Sequence, residues 1–185
     1  MTERRTQRAR DPEARRAALA VATMEVIAES GVGRTTHRAV AARAGLPLGA
    51  TTYYFPTLDD LIAAGLRHAC DAMRADLDEW AARLAAAPDL PAELTTLTGE
   101  YLADRRQVRI EYELCVAAAR DAALRPLAET WMDGLPEILE PSIGAAAARD
   151  VCALLDGIIM RALVTESELD EPGLTAAIRR LIRAD

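Results

Sequence analysis

The most constraining feature of this sequence is the spacing of its apolar residues, which repeats with the period of an α-helix. Near the C-terminus this spacing follows the i, i+3, i+4, i+7 pattern through Val151, Leu154, Leu155, Ile158, Ile159, Ala162 and Leu163. Helix-forming alanine, leucine and arginine dominate, aromatic residues make up only 4% of the chain, and no segment shows strand-like alternation. The pattern predicts an all-α fold of about nine helices.

Capping residues, glycines and prolines divide the chain into separate helices. Asp11, Pro12 and Glu13 predict the start of a first helix that ends before Gly31. Further helices are predicted over residues 58–86, 92–103, 107–120 and 126–140, then through 151–163 and 174–182. Gly134 and Pro136 are expected to kink or split the helix at 126–140.

Two short helices joined by a tight turn follow the first helix. Thr35 and Thr36 offer an N-cap for residues 37–44, and Gly45 ends that helix. Residues 50–55 predict the second short helix. This arrangement predicts a helix-turn-helix, and with the first helix it forms a three-helix DNA-binding domain over residues 1–57. Residues 58–185 are then expected to form a second helical domain.

The charge of the chain is unevenly distributed. The net charge is −7, with +4 on residues 1–58 and −11 on the remainder. Arg4, Arg5, Arg8 and Arg10 give the N-terminus a basic arm. A basic head on an acidic body fits a protein that binds DNA phosphates at one end, although ordinary variation in surface charge is the alternative.

Cysteine and histidine usage argues against a cofactor, a metal or a catalytic site. Cys70, Cys115 and Cys152 are far apart and odd in number, which predicts neither a disulfide framework nor a zinc site. The two histidines, His37 and His68, lie in different predicted helices, and no glycine loop for phosphate is present. We therefore do not expect an enzyme.

The same sequence predicts a cytoplasmic location and no membrane partner. No apolar run approaches the ~20 residues of a membrane span, and the first residues lack the apolar core of a secretion signal.

Residues 31–61, GVGRTTHRAVAARAGLPLGATTYYFPTLDDL, resemble the DNA-binding signature of the tetracycline-repressor (TetR) family. That signature has paired threonines, an alanine-glycine turn, a short helix ending in an aromatic cluster, and a long helix after a polar cap. The residues in register are Thr35, Thr36, Ala44, Gly45, Gly49, Tyr53, Phe55 and Leu61. The remainder of the chain is similar to the family only in its succession of helices.

The resemblance implies which residues face DNA. They lie at the start of the second helix and along the third: Thr36, His37, Arg38, Pro47, Leu48, Gly49, Ala50, Thr52, Tyr53 and Tyr54. The alternative for either tyrosine is that it caps the small core beside Phe55.

Three residues depart from the family pattern. Pro47 replaces the usual serine, Leu48 a polar residue, and Leu58 a phosphate-binding lysine. Affinity for the DNA backbone should therefore depend on Arg38, Arg43 and the arm arginines, unless the arm is only a solvated tail.

The resemblance also implies that residues 58–185 form a helical ligand-binding and dimerisation domain, with a small-molecule pocket among the middle helices. The candidate lining residues are Leu66, Cys70, Met73, Tyr101, Tyr112, Glu113 and Trp131. The alternative for the apolar and aromatic positions is ordinary core packing. Glu113 and Arg109 could orient a ligand, or form a solvated face or an internal ion pair.

The final two helices resemble the dimer interface of the family, in which two helices from each subunit form a four-helix bundle. The expected interface residues are Leu155, Ile158, Ile159, Ala162, Leu174, Ile178 and Leu181. Asp156 lies in an apolar run and, if buried, must find a partner. That partner could be Arg161, an arginine of a second subunit, or a cationic ligand.

We therefore expect a ligand-responsive, DNA-binding transcriptional regulator. It would bind a pseudo-palindromic operator as a homodimer, with heads roughly 34–36 Å apart, and an unidentified small-molecule effector would release it. The alternatives are a helical dimeric adaptor without operator binding, which leaves the basic head unexplained, and a small helical enzyme.

Overall fold

The computed structural model describes residues 11–120, 122 and 124–183. Within these residues it contains nine α-helices, one short 3₁₀ helix at Val32–Arg34, and no β-strand. In chain order the helices are α1 (Pro12–Ser30), α2 (His37–Ala44), α3 (Leu48–Tyr54), α4 (Leu58–Ala86), α5 (Leu90–Ala103), α6 (Arg105–Arg120), α7 (Arg125–Ile143), α8 (Ala145–Thr165) and α9 (Glu171–Ile182). The predicted all-α fold is confirmed.

Two details of the predicted helices are wrong. Helix α3 begins at Leu48 rather than at residue 50, because Pro47 takes the N-cap position with an extended backbone. Helix α7 continues through Pro136 and Pro141, so of the predicted kink or split, the split is absent. Each proline removes only one backbone donor, and the neighbouring turns keep the helix closed.

The chain forms two compact units. The head unit comprises the chain up to Asp71 together with Ile110–Leu127, and the body unit comprises Ala72–Arg109 together with the chain from Ala128 onwards. Helices α4 and α6 therefore each contribute residues to both units, as does α7 through its first three residues. The functional boundary between residues 57 and 58 stays a prediction.

Apolar side chains from four segments make the core of the head unit. The buried members are Leu19, Ala22, Val26, Val40, Phe55 and Leu61. Helix α1 supplies half of this core, and it begins where Asp11 accepts a hydrogen bond from the Glu13 amide at 2.9 Å. Helices α1 and α4 approach closely, since a Cβ added to Gly65 would lie 2.9 Å from the Cγ2 of buried Thr23.

Polar contacts join the helices of the body unit. Arg83 of α4 pairs with Glu93 at 2.8 Å and Glu100 at 2.5 Å, both on α5. The hydrogen bonds that Arg83 donates to Glu100 and Glu93 raise the pKa of the guanidinium, and the bond accepted from Arg83 lowers the pKa of Glu100. Helix α9 packs against α5 and α8. Arg105 donates to the Ala162 carbonyl oxygen at 2.7 Å, near the C-terminus of α8.

No helix within the described part of the chain combines the length and the apolar character needed to cross a bilayer.

Candidate DNA-binding site

The turn between α2 and α3 is set by one cap and one glycine. The Thr36 hydroxyl oxygen accepts a hydrogen bond from the Ala39 amide at 3.1 Å and so starts α2. Gly45 ends α2 in the left-handed conformation, with φ of 64°, where an L side chain is disfavoured. The chain then turns through Leu46, whose amide donates to the Ala41 carbonyl at 3.0 Å. The helix-turn-helix predicted from the sequence is present.

Helix α3 has one buried face and one exposed face. Thr51 is buried, and its hydroxyl donates to the Leu48 carbonyl oxygen at 2.7 Å. Tyr54 is half-buried and packs against the head core. Tyr53 is 79% exposed and meets the Tyr54 ring edge-on, with ring centroids 5.0 Å apart. The two alternatives for the tyrosines therefore apply to different residues: Tyr54 covers the core, and Tyr53 faces outward.

The other predicted DNA-facing residues of α3 lie on or beside its exposed side. Pro47, Leu48, Gly49 and Thr52 are exposed, and Ala50 is half-buried. The Thr52 hydroxyl donates back to the Gly49 carbonyl oxygen at 3.3 Å. Small side chains at Gly49 and Ala50 would allow a close approach to a flat partner.

The start of α2 presents a second group of predicted residues. Thr36 and Arg38 are exposed, whereas His37 is half-buried. The His37 Nδ1 is buried and has no hydrogen-bond partner among the described residues. The structure thus leaves Thr36 and Arg38 more accessible than His37.

Arg43 does not have the free charge that was predicted for binding the DNA backbone. Its guanidinium forms ion pairs with Glu29 and, at 3.3 Å, with Glu25, both on α1. The hydrogen bonds that it donates to Glu29 and Glu25 raise its pKa. Its charge is balanced within the protein, which argues against the predicted role of Arg43 in binding the DNA backbone. The arm arginines Arg4, Arg5, Arg8 and Arg10 lie outside the described residues.

The predicted ligand-lining residues are distributed over both units. Leu66, Cys70, Tyr112 and Glu113 belong to the head unit, and Met73, Tyr101 and Trp131 to the body unit.

Three of these residues are core residues of their units, because Leu66, Cys70 and Met73 are no more than 7% exposed. Cys70 donates to the Leu127 carbonyl oxygen across 3.6 Å. The other four, Tyr101, Tyr112, Glu113 and Trp131, are half-buried.

Two of the half-buried residues have defined neighbours. Tyr101 meets Trp80 edge-on, with centroids 6.2 Å apart. The Glu113 carboxylate lies beside Gly31, since its Oε1 is 3.6 Å from where a Gly31 Cβ would stand.

Most predicted dimer residues are already buried within the chain itself. Those no more than 7% exposed are Leu155, Ile159, Ala162, Leu174 and Ile178, whereas Ile158 and Leu181 are half-buried. On α8 the exposed positions include Ala153, Gly157 and two larger apolar residues, Met160 at 39% and Val164 at 75%.

Asp156 is half-buried, not enclosed as its apolar surroundings suggested. Burial of the Cys152 thiol, helped by the nearby Asp156 charge, raises the pKa of that thiol to about 12. The thiol therefore stays protonated at neutral pH.

Sequence reasoning missed two residues. Glu111 of α6 is only 2% exposed. A signal for its burial existed, since it lies three residues after buried Val108 and seven before buried Ala118. Arg15 of α1 lines a groove beside α3, and no spacing rule in the sequence indicates this position.

A three-helix head with an exposed third helix, joined to a helical body, defines a helix-turn-helix regulator. Comparison with known proteins agrees. The family model described as "Bacterial regulatory proteins, tetR family" matches residues 19–64. The one described as "Tetracyclin repressor-like, C-terminal domain" matches residues 88–184. The chain belongs to the TetR family, and it is a ligand-responsive, DNA-binding transcriptional regulator.

Solved structures and a curated relative support this assignment. The multidrug binding protein EbrR, crystallised with imidazole, is 39% identical and has a TM-score of 0.80, covering 92% of this chain and 96% of its own. A TetR-family member from Streptomyces coelicolor A3 is 40% identical with a TM-score of 0.82, covering 92% and 99%. The transcriptional regulator BetI of Burkholderia thailandensis is 28% identical over 174 residues, covering 85% of this chain and 86% of its own.

Proposed function

We propose that the protein is a cytoplasmic repressor that binds a pseudo-palindromic operator as a homodimer and is released by a small-molecule effector. Residues 1–57 read the operator, and residues 58–185 dimerise and bind the effector. The proposal assigns no catalytic step to the chain. The observation that carries it is the exposure of Tyr53, a large aromatic side chain held 79% exposed on a helix whose other face is packed.

The exposed residues suit different parts of DNA. Thr52 and Tyr53 carry hydroxyl groups that donate to and accept from base edges, and the Leu48 side chain, 44% exposed, suits a thymine methyl group. Arg38 and Thr36 suit backbone phosphates. Tyr54 is assigned a positioning role, because it packs against the core and orients the ring of Tyr53.

Selection of DNA from a random pool, followed by titration at two salt concentrations, tests operator binding. We expect an inverted repeat whose affinity falls steeply with salt. Thr52→Ala and Tyr53→Ala should weaken binding without loss of helicity, while Thr96→Ala, the same change at an exposed threonine of α5, should not. Normal binding by both α3 variants would contradict the role of this helix.

For the dimer we propose the exposed face of α8, with Ile158 and Leu181 at its margins. This face carries Met160 and Val164, which would be poorly placed in water, next to small residues that permit close packing. Val164→Asp should therefore give a monomer by light scattering, whereas Val116→Asp, at a 50% exposed valine of α6, should leave a dimer. An unchanged mass for Val164→Asp would place the interface elsewhere.

For the effector we propose a planar aromatic cation. EbrR has been crystallised with proflavin, ethidium and malachite green, which are aromatic cations, and this chain is 39% identical to it. Within the head unit, the buried Glu111 carboxylate and the half-buried Tyr112 ring could interact with such a ligand.

Binding of malachite green to the protein alone tests the effector class, because it avoids intercalation into DNA. Glu111→Gln should weaken binding at least about tenfold by removing the compensating charge. If Glu113→Gln weakens binding and Glu111→Gln does not, the charge is carried by Glu113. Absence of dye binding by the unchanged protein would contradict the effector class while leaving operator binding intact.

A further inference from the structure

An open groove of about 550 Å³ lies beside α3 in the head unit. Helix α1 contributes Arg15, and the remaining lining comes from the turn and from α3: Leu46, Pro47, Gly49, Ala50, Tyr53 and Tyr54. None of these lining residues is acidic. The groove therefore places one cationic side chain, that of Arg15, beside the helix that is proposed to face DNA.

The Arg15 side chain lacks an acceptor within the described part of the chain. Its Nε is buried, yet it makes no hydrogen bond there. A buried nitrogen donor in a native protein normally has a partner, and an unpaired guanidinium nitrogen is more costly than a neutral donor. The described lining of the groove contains no carboxylate, so an anion bound from outside would give this nitrogen an acceptor of opposite charge.

Three other arginines of residues 11–57 have partners within the head unit. Arg43 is paired with two glutamates of α1, and Arg34 donates its Nε–H to the Ser30 carbonyl oxygen at 2.9 Å. Arg16 stacks over Phe55, with its guanidinium carbon 4.9 Å from the ring centre. Among the arginines of residues 11–57, Arg15 and Arg38 are thus the two whose side chains have no ion pair, hydrogen bond or ring contact with the described residues.

We propose that Arg15 binds a backbone phosphate of the operator, seated in the groove beside α3. This inference rests on the proposed function, because it assumes that Tyr53 and its neighbours face DNA. A phosphate is the acceptor that fits, since it carries the charge and the oxygen geometry that a guanidinium prefers. Arg15 would then supply part of the backbone affinity that Leu58 and Arg43 do not.

Salt-dependent titration against a selected operator and an unrelated duplex tests the role of Arg15. Arg15→Ala should weaken binding to both duplexes by about tenfold. It should also reduce the slope of log K against log salt by about 0.9 per protomer. Arg15→Lys should keep the slope and lose part of the affinity. Arg106→Ala, which removes the same charge from an exposed position of α6, should change neither quantity.

Single methylphosphonate substitutions identify the phosphate. One neutral linkage per half-site should weaken DNA binding by the unchanged protein but not by Arg15→Gln, which keeps a polar side chain without the charge. If Arg15→Ala melts at a lower temperature than the unchanged protein, the comparison of DNA binding uses Arg15→Lys and Arg15→Gln instead.

Wild-type affinity and slope in Arg15→Gln would overturn the assignment, provided that Tyr53→Ala still weakens binding; the proposed function would then stand. If the unchanged protein selects no DNA, both proposals fail together.

Discussion

Gly65 of α4 allows α1 and α4 to pack closely, so Gly65→Ala is expected to destabilise the head unit. A Cβ at this position would lie 2.9 Å from the Cγ2 and 3.0 Å from the Cβ of Thr23, and 3.4 Å from the Ala20 carbonyl oxygen. Thr23 cannot move aside easily, because it is fully buried and its hydroxyl donates to the Leu19 carbonyl oxygen at 2.7 Å.

Two opposing effects set the change in the free energy of unfolding that Gly65→Ala causes. Alanine is favoured over glycine inside a helix by about 1 kcal/mol, whereas overpacking a close-packed core costs about 1–3 kcal/mol. We expect a cost near the upper value, since the atoms in the way belong to a rigid β-branched side chain. The free energy of unfolding should then fall by about 2 kcal/mol, which lowers Tm by roughly 4–8 °C for a chain of this size.

Thermal unfolding followed by circular dichroism measures the effect, and Thr23→Ser provides the control. Serine removes Cγ2 but retains the hydroxyl, so Gly65→Ala should cost about 1 kcal/mol less in the Thr23→Ser background. A rise in Tm for Gly65→Ala alone would refute the reasoning, because helix propensity would then outweigh the contact.

Three further predictions concern charge, backbone conformation and pH. Arg43→Ala should lower Tm slightly, less so at high salt, yet leave the salt slope of DNA binding unchanged, because its ion pairs are internal to the head. Gly31→Ala should lower the free energy of unfolding by about 1–3 kcal/mol, since Gly31 has φ of 77° and ψ of 162°; Gly33→Ala, without a positive φ, is the control for thermal melting. The Cys152 thiol pKa, raised from 9.0 to about 12, means that above pH 9 the unfolded thiol ionises while the folded one does not. Denaturant titrations should therefore show stability falling as pH rises from 9.0 to about 12, more steeply than in Cys152→Ser, and equal slopes would contradict this.

Local signals in the sequence predicted the helices and the turn well. The cap at Thr36 and the helix end at Gly45 depend on residues within one turn of each other, so composition and spacing are sufficient. The start of α3 was harder to predict, because a proline can either cap a helix or precede it.

Contacts between helices could not be predicted in the same way. The pairing of Arg43 with Glu25 and Glu29 exists only once α1 and α2 have packed, and the clash behind Gly65 depends on the approach of α1 to α4. Periodicity identified Leu155 and Ile178 as apolar face residues, but it cannot tell burial within one chain from burial between two. Neighbours such as Tyr53 and Tyr54 differ in exposure only through the orientation of a short helix.

The sharing of α4 and α6 between the two compact units limits how this regulator can be recombined. Leu61 of α4 belongs to the core beneath the helix-turn-helix, and Ile110–Leu127 clusters with the same unit. A hybrid made by grafting residues 1–57 onto the body of a relative would leave both behind. Operator preference in this chain is therefore not expected to be transferred by grafting residues 1–57 alone. Changing it calls for substitutions on α3 rather than exchange of a domain.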